Sequence, residues 1–435
     1  MSLLLVVTAI VFPILWNEIG GDSPPICSKG GVAVVFPSSH HHSENETEKN
    51  SFGKGDPYLF IFSGNGKHGR LVHTQKTYNL RERLWGTVYA IGDERNQHLR
   101  TQFQEDGIPT PRWKSVAVLV NETTMAMFGG SSLIGSSFTE TFSNDLWLLS
   151  TSGDERSEGS GEPTWSYVDF ASDEPIPLER RAHAASKVGS GMYVFGGKEC
   201  HEQSNAEKDE CQDLGDLWVL DFHTLKWTKL WEREGSNSSG PSPRHGHTAC
   251  TARVHGLDYF VVFGGRADKE GYFNDVWAFN THNSTWMDWT PDYDHSTTEF
   301  FPSKRDHHHV ASVDSLGGEN PKMVLFGGRG APASEKHQHK TSRVLNDLWQ
   351  FDYVLKEWKE IEVKTHKPAA RFLADFTQYD AVSMAKNESS SGERSPKLLI
   401  FGGDEAIEFG ARVDDLWELD IRTNEWQRLQ QSYRC

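Results

Sequence analysis

Basic residues are outnumbered in this chain: 44 Lys and Arg stand against 61 Asp and Glu, a net charge of −17 at pH 7. That balance favours solubility and argues against non-specific binding to nucleic acid or to acidic membranes, both of which need a basic surface. Long apolar runs are also scarce. LLLVVTAIVFPILW, Leu3 to Trp16, is too short to span a bilayer comfortably and is interrupted by Pro13. Cysteine is sparse, with five residues in 435. No phosphate-cradling glycine loop and no nucleophile elbow occurs. Histidines cluster at 40–42, at 307–309 and at His337 and His339, but adjacent histidines in polar stretches lack the spacing of a closed metal site. They read as solvated loop residues, His308 excepted, and no metal or other cofactor is expected.

What is abundant is repetition. MAMFGG with NDLWLL, MYVFGG with GDLWVLD, VVFGG with NDVWAFN, MVLFGG with NDLWQFD and LLIFGG with DDLWELD are five copies of one unit. Their second glycines fall at Gly130, Gly197, Gly265, Gly328 and Gly403, spaced 67, 68, 63 and 75 residues apart. In four copies a second tryptophan follows the first by 9 residues: Trp218 to Trp227, Trp277 to Trp286, Trp349 to Trp358 and Trp417 to Trp426. In the other it follows by 18, Trp147 to Trp165, because a polar insert lengthens the turn. Each unit reads as four short strands. Strand a is a small-residue apolar segment and strand b ends at Gly-Gly. Strand c is the DLWxLD segment, alternating at the period of a pleated strand, and strand d carries the last Trp. The glycines supply positive φ or room for a neighbouring backbone, and the tryptophans supply buried apolar area.

A four-stranded antiparallel sheet repeated every 60 to 75 residues predicts a propeller, which leaves only short, protected edges. The pattern of apolar run, Gly-Gly, spacer, aromatic strand and final Trp resembles the kelch-repeat family, and it is matched five times between Pro109 and Leu429. An eroded sixth unit precedes them, read as strands GVAVVFP, YLFIFSGNG, LWGTVYAI and HLRTQF. In that reading Ser63-Gly64 replaces Gly-Gly, Trp85 takes the strand c tryptophan position and the final Trp is missing. The expected fold is all-β, a six-bladed kelch-type propeller with blades near 31–104, 109–170, 177–230, 241–289, 302–362 and 368–429.

The N-terminal run, followed by NEIGGDS, is expected to be a secretory signal over residues 1–21, against a retained signal anchor or a buried strand, although its n-region lacks Lys and Arg. A secreted or secretory-lumen protein, with no membrane insertion after cleavage, is also the expectation from five Asn-X-Ser/Thr acceptors at Asn45, Asn121, Asn237, Asn283 and Asn387. Cys200 and Cys211 flank one b–c loop and are expected to bridge it. Cys27 and Cys435 lie at the two ends of the mature chain, which a closed ring brings together. A ring-closing bridge there would contribute about 4–5 kcal/mol in the chain-entropy model. Cys250 is left as a buried thiol; the competing reading, five free cysteines, fits a cytosolic protein.

Candidate chemistry sits at the start of strand a. Arg112, Arg180, Arg244, Arg305 and Arg371 recur there, with R-x-x-H in three blades giving His183, His247 and His308. Strand a of a propeller lines the central channel, so these arginines are expected to ring one mouth of it. The family resemblance implies contacts with acidic peptides at matching positions, for which a guanidinium fork is suited. The alternative is that Arg and His side chains bond neighbouring blade loops. The b–c loops and d–a connections open on the same face, and variable loops on a rigid scaffold are where recognition resides. Asn45, Asn121, Asn283 and Asn387 map to the opposite face, and Asn237 to the arginine face. A binding module for a protein or an anionic ligand is the expected function, without catalytic residues. The runner-up is a propeller enzyme at the same mouth. Galactose oxidase, which resembles kelch propellers, uses copper with tyrosine, histidine and a cysteine cross-linked to tyrosine. Tyrosines such as Tyr272 and Tyr293 are few in the relevant loops, and no sialidase-type Asp box appears.

Overall fold

A computed structural model describes residues 32–37, 57–62, 64, 74–81, 83–90, 107–134, 139–151, 163–201, 210–233, 235, 239–292, 301–314, 320–330, 343–363, 366–382, 394–405 and 413–430. Six four-stranded antiparallel sheets follow one another along the chain, each with strands in the order a-b-c-d from inside to outside. The inner strands are Val32–Phe36, Val116–Asn121, Ala184–Val188, Thr248–Val254, His309–Val313 and Asp375–Val382. Each contacts the next, and the sixth contacts the first, so the ring closes on a six-bladed propeller. Every blade is built from one contiguous stretch of chain; the seam between blades 6 and 1 shares no strand.

The core lies between blades. Six apolar clusters occur among the described residues, one at each interface between neighbours. At the centre of each, the strand d tryptophan of one blade meets a strand b phenylalanine of the blade before it. Ring centroids are 5.3 Å apart for Trp165 and Phe62, 4.8 Å for Trp227 and Phe128, and 5.3 Å for Trp286 and Phe195. They are 5.0 Å apart for Trp358 and Phe263, 5.1 Å for Trp426 and Phe326, and 5.5 Å for Trp85 and Phe401. The last pair closes the ring. A large flat side chain suits this place because it covers the facing sheet from an outer strand.

The Gly-Gly pair is a second interblade device. At blade 4, Gly264 and Gly265 have φ of +61° and +90°, a region that favours glycine. A Cβ on Gly265 would fall 2.6 Å from the His247 Cβ, and one on Gly264 would fall 3.0 Å from the Arg305 carbonyl of blade 5. With that room, the Gly265 N–H donates to the Arg305 carbonyl at 2.8 Å. The N–H groups of Gly64, Gly130, Gly197 and Gly328 donate in the same way to Arg112, Arg180, Arg244 and Arg371 of the following blade.

Blade 1 corrects one expectation. Its strands are Val32–Phe36, Tyr58–Phe62, Thr74–Asn79 and Leu84–Ala90. LWGTVYAI is therefore strand d, and Trp85 is the final tryptophan, opposite Tyr78 as Trp165 is opposite Leu149. The tryptophan that blade 1 lacks is the strand c one, whose register position holds Lys76. HLRTQF lies outside the described residues.

Candidate partner-binding face

The five repeated arginines are built into the fold. Arg112, Arg180, Arg244, Arg305 and Arg371 are almost wholly buried, at 0–1% exposure. Each guanidinium pairs bidentately with the Asp that opens strand c of its own blade. Arg180 meets Asp216 at 2.8 and 2.9 Å, and Arg244 meets Asp275 at 2.6 and 2.8 Å. Arg305 meets Asp347 at 2.8 and 2.7 Å, Arg371 meets Asp415 at 2.6 and 3.1 Å, and Arg112 meets Asp145. A further N–H donates to the carbonyl of the first glycine of Gly-Gly, and Nε–H to the carbonyl two residues upstream. The same Asp accepts from the strand c indole N–H, as in Trp277 to Asp275 at 2.9 Å. Burial alone would raise these carboxyls, but the guanidinium and indole outweigh it and hold all five below the usual range. The expectation of an arginine ring open to an anion is thus corrected: with their donors satisfied internally, the arginines clamp the entry of strand a to strand c.

The three R-x-x-H histidines are interblade wedges. His183, His247 and His308 stand edge-on to Phe128, Phe195 and Phe263 of the preceding blade. His247 Nε2 donates to the Phe195 carbonyl at 3.1 Å, and His308 Nε2 lies 2.8 Å from the Thr248 hydroxyl. Burial, followed by the adjacent arginine, depresses all three, His183 to about 3. His309, expected in solvated loop, is also buried, and the side chain of His307, expected there too, is only 8% exposed. All five line a central cavity of about 240 Å³ bounded by the six inner strands.

Two residues after each clamp arginine, in blades 2 to 6, lies a residue with positive φ: Lys114, Ala182, Gly246, His307 and Leu373. Their backbones link around the channel. Ala182 N–H donates to Lys114 O at 3.0 Å, Gly246 to Ala182 at 2.8 Å, His307 to Gly246 at 2.7 Å and Leu373 to His307 at 3.3 Å. This collar holds the mouth in a fixed shape.

Above it the variable chemistry appears. The residue after each buried Arg forms a two-residue rung with the residue after Gly-Gly: Trp113 with Ser131, Arg181 with Lys198, His245 with Arg266, Asp306 with Arg329, and Phe372 with Asp404. Four cations, Arg181, Lys198, Arg266 and Arg329, fall on the consecutive blades 3, 4 and 5, while Trp113 and Phe372 lie on blades 2 and 6. Arg266 and Arg329 are 34% and 25% exposed, where the clamp arginines are closed to solvent. The cations are oriented by acids: Arg181 on Glu140, Lys198 on Asp268 at 2.6 Å, and Arg266 and Arg329 on the fully buried Asp306. The reading from sequence missed these residues. A signal existed in the residue directly after each Gly-Gly (Ser, Lys, Arg, Arg, Asp), which changes within an otherwise fixed frame.

Asp213, His245 and Asp268 bring three potential metal-ligating atoms within 4.8 Å of one another. The donor set is already used. Arg266 Nε–H donates to His245 Nε2 at 2.9 Å, so Nδ1 carries the proton and gives it to Asp213 at 2.5 Å, while Lys198 holds Asp268. The group orients Arg266; it does not suit a metal. Cys250 is a buried thiol, 3.1 Å from the Tyr353 hydroxyl in the core between blades 4 and 5, and burial pushes it up to about 12. Its contact is with the phenol oxygen, away from the mouth. Cys200 and Cys211 lie opposite each other in the b–c hairpin of blade 3 and are disulfide-bonded. Asn121 and Asn283 are exposed in a–b and c–d turns, on the face away from the rungs. Cys27, Cys435, Asn45, Asn237, Asn387, Tyr293 and the segment 1–21 lie outside the described residues.

A family model described as the KLHDC2/KLHL20/DRC7 Kelch-repeats domain matches residues 48–236 and 229–434. Kelch domain-containing protein 3 of Homo sapiens is 30% identical over 204 residues, covering 45% of this chain and 44% of the relative. Host cell factor 2 of Homo sapiens is 28% identical over 258 residues, 58% of this chain and 27% of that protein. Host cell factor 1 of Rattus norvegicus is 24% identical over 274 residues, 62% of this chain and 11% of that protein. The chain spans less than half the length of each of these relatives.

Proposed function

Since the chain belongs to the KLHDC2/KLHL20/DRC7 kelch-repeat family, we propose that it is a non-catalytic binding scaffold whose rung residues recognise an acidic group on a protein partner. A kelch propeller is a scaffold consistent with protein–protein interaction. The finer reading rests on one observation: Arg181, Lys198, Arg266 and Arg329 sit on three consecutive blades around a rigid mouth, partly exposed and held in place by the acids Glu140, Asp268 and the buried Asp306. Such cations are oriented before a ligand arrives, which lowers the ordering cost of binding. Trp113 and Phe372 place aromatic surface on the other side of the mouth.

The partner is sought outside the cell or in the secretory lumen. The N-terminal apolar run, the disulfide of the blade 3 loop and the exposed Asn121 and Asn283 acceptors support that setting. Glycans on Asn121 and Asn283 would cover the a–b/c–d face and leave the rung face open.

The test is a pull-down from extracellular fluid with wild type beside an Arg181→Ala/Arg266→Ala/Arg329→Ala variant. Loss of captured proteins, with a steep salt dependence for wild type, supports the reading; identical profiles overturn it. Mass analysis of secreted protein before and after enzymatic deglycosylation checks Asn121 and Asn283. Sugar on neither would remove the shielding part of the proposal.

A further inference from the structure

Resting on the reading of the rim as an acidic-partner site, we propose that Lys114 and His307, facing each other across the channel mouth, form an acceptor site for one carboxylate of that partner, and that filling it takes up a proton. Both belong to the hydrogen-bonded collar and both line the central cavity. Lys114 is in blade 2 and His307 in blade 5, three blades apart in a ring of six. Between them on one side the collar holds only Ala182 and Gly246, and the missing Cβ of Gly246 makes room for the His307 ring, whose Cε1 lies 2.9 Å from where that Cβ would be.

The surroundings explain why this pair lacks an internal counter-ion. Facing Lys114 are Arg181 and Glu140 from blades 3 and 2, and Asp306 and Arg329 from blade 5. Glu140 is engaged by Arg181, the Trp113 indole and the Ser131 hydroxyl. Asp306 is engaged by Arg329 and Arg266 and lies 3.2 Å from His307 Nδ1. Lys114 Nζ is left over the Trp113 ring, 4.3 Å from its centroid, without an ion pair among the described residues. Across the channel, the His307 side chain is only 8% exposed, and neither of its ring nitrogens has a hydrogen-bond partner among the described residues. His307 also faces Lys114 and Arg329, and it acts in turn on His309. The Asp306 carboxylate lies near Nδ1 without a hydrogen bond to it, and Nε2 stays open to a ligand.

Burial, followed by Arg181, holds Lys114 down at about 7, and burial, opposed by Asp306 and aided by Lys114 and Arg329, holds His307 at about 4, so near neutrality Lys114 is about half charged and His307 is neutral. A carboxylate entering between them favours the ammonium, and also the imidazolium, whose Nε2–H can then donate to it. The proton comes from solvent, and no covalent bond changes. For one group titrating near 7, the binding-competent fraction falls about tenfold between pH 6 and pH 8.

Acetate titrated into the purified chain, followed by the NMR line width of 13C-labelled acetate at fixed ionic strength, tests this without any partner. Wild type is expected to bind about tenfold more weakly at pH 8 than at pH 6. Lys114→Met should lose the binding, and Lys114→Arg should restore it without the fall between pH 6 and pH 8. All variants keep a non-glycine side chain at the same backbone conformation, and circular dichroism checks their folding. Equal wild-type affinity at the two pH values, absence of acetate binding, or an unchanged pH dependence in Lys114→Arg would each overturn the proposal. Failure of the rim reading shows separately, as unchanged partner capture by the triple arginine variant.

Discussion

At the scale of single residues, two kinds of arginine stand side by side in this chain with opposite duties. Arg180 is closed to solvent and paired with Asp216, whereas Arg181, the next residue, reaches Glu140 at the rim. The same division separates Arg244 from Arg266, which faces His245, the residue after Arg244, across one rung. Removing one partner of a buried ion pair leaves an uncompensated charge, at a cost of about 3–5 kcal/mol. A partly exposed pair contributes about 0–1 kcal/mol. Arg244→Ala is therefore expected to lower the urea unfolding midpoint strongly, and Arg266→Ala hardly at all. Comparable shifts for both would refute the division of labour. The sequence showed the five arginines at equivalent places, but not which way they point. A strand entering a sheet turns successive side chains to opposite sides, so a one-residue difference decides between clamp and contact. The Asp ahead of each strand c tryptophan was visible as part of the DLWxLD repeat; its bond to a distant arginine depends on how the blade closes.

At the scale of the strand, the final tryptophan of each blade belongs energetically to the blade before it. Truncating a buried tryptophan costs about 3–5 kcal/mol. Trp286→Ala removes contacts with Phe195 of blade 3 as well as Phe279 of its own. Trp85→Ala is expected to cost a comparable amount, because Trp85 meets Phe401 across the seam between blades 6 and 1 and its indole donates to Gln430. Chemical denaturation of the two variants checks this; a negligible effect for Trp85 would mean that blade 1 does not close the ring. The repeat lattice made five blades legible because Gly-Gly and two tryptophans recur in phase. Blade 1 was legible as four strands but out of register. Its strand c carries Lys76 where tryptophan normally stands, so the surviving Trp85 was placed one strand too early. A shorter element is the disulfide hairpin of blade 3. A double Cys200→Ser/Cys211→Ser variant is expected to lose about 2–3 kcal/mol on the chain-entropy model, read as a lower thermal midpoint. No change would show that the strand pairing alone holds that hairpin.

For the whole molecule, the channel sets the response to pH. Burial, followed by the nearby Arg180 and Arg371, holds His183 and His309 down to about 3. In the unfolded chain both return to about 6.5. Between those values the unfolded state binds more protons than the folded one, so stability rises with pH across that window and is lost as pH falls through it. Lys114 extends the same sign upward, from about 7 folded to about 10.5 unfolded. The five clamp carboxyls act below, since they must be protonated before the arginine pairs dissolve. All three sets make the propeller weaker towards acid. Each proton of difference contributes about 1.4 kcal/mol per pH unit. His309 stacks on Phe376 at 5.3 Å and lines the cavity, so His309→Phe can keep the packing while removing one titrating group. The stability of wild type, measured by denaturant unfolding between pH 6 and pH 4, is expected to fall with a slope of several protons, and His309→Phe to reduce that slope by about one. An unchanged slope would show that His309 is not kept neutral in the folded ring, and the acid response would then have to come from the other channel histidines and the clamps.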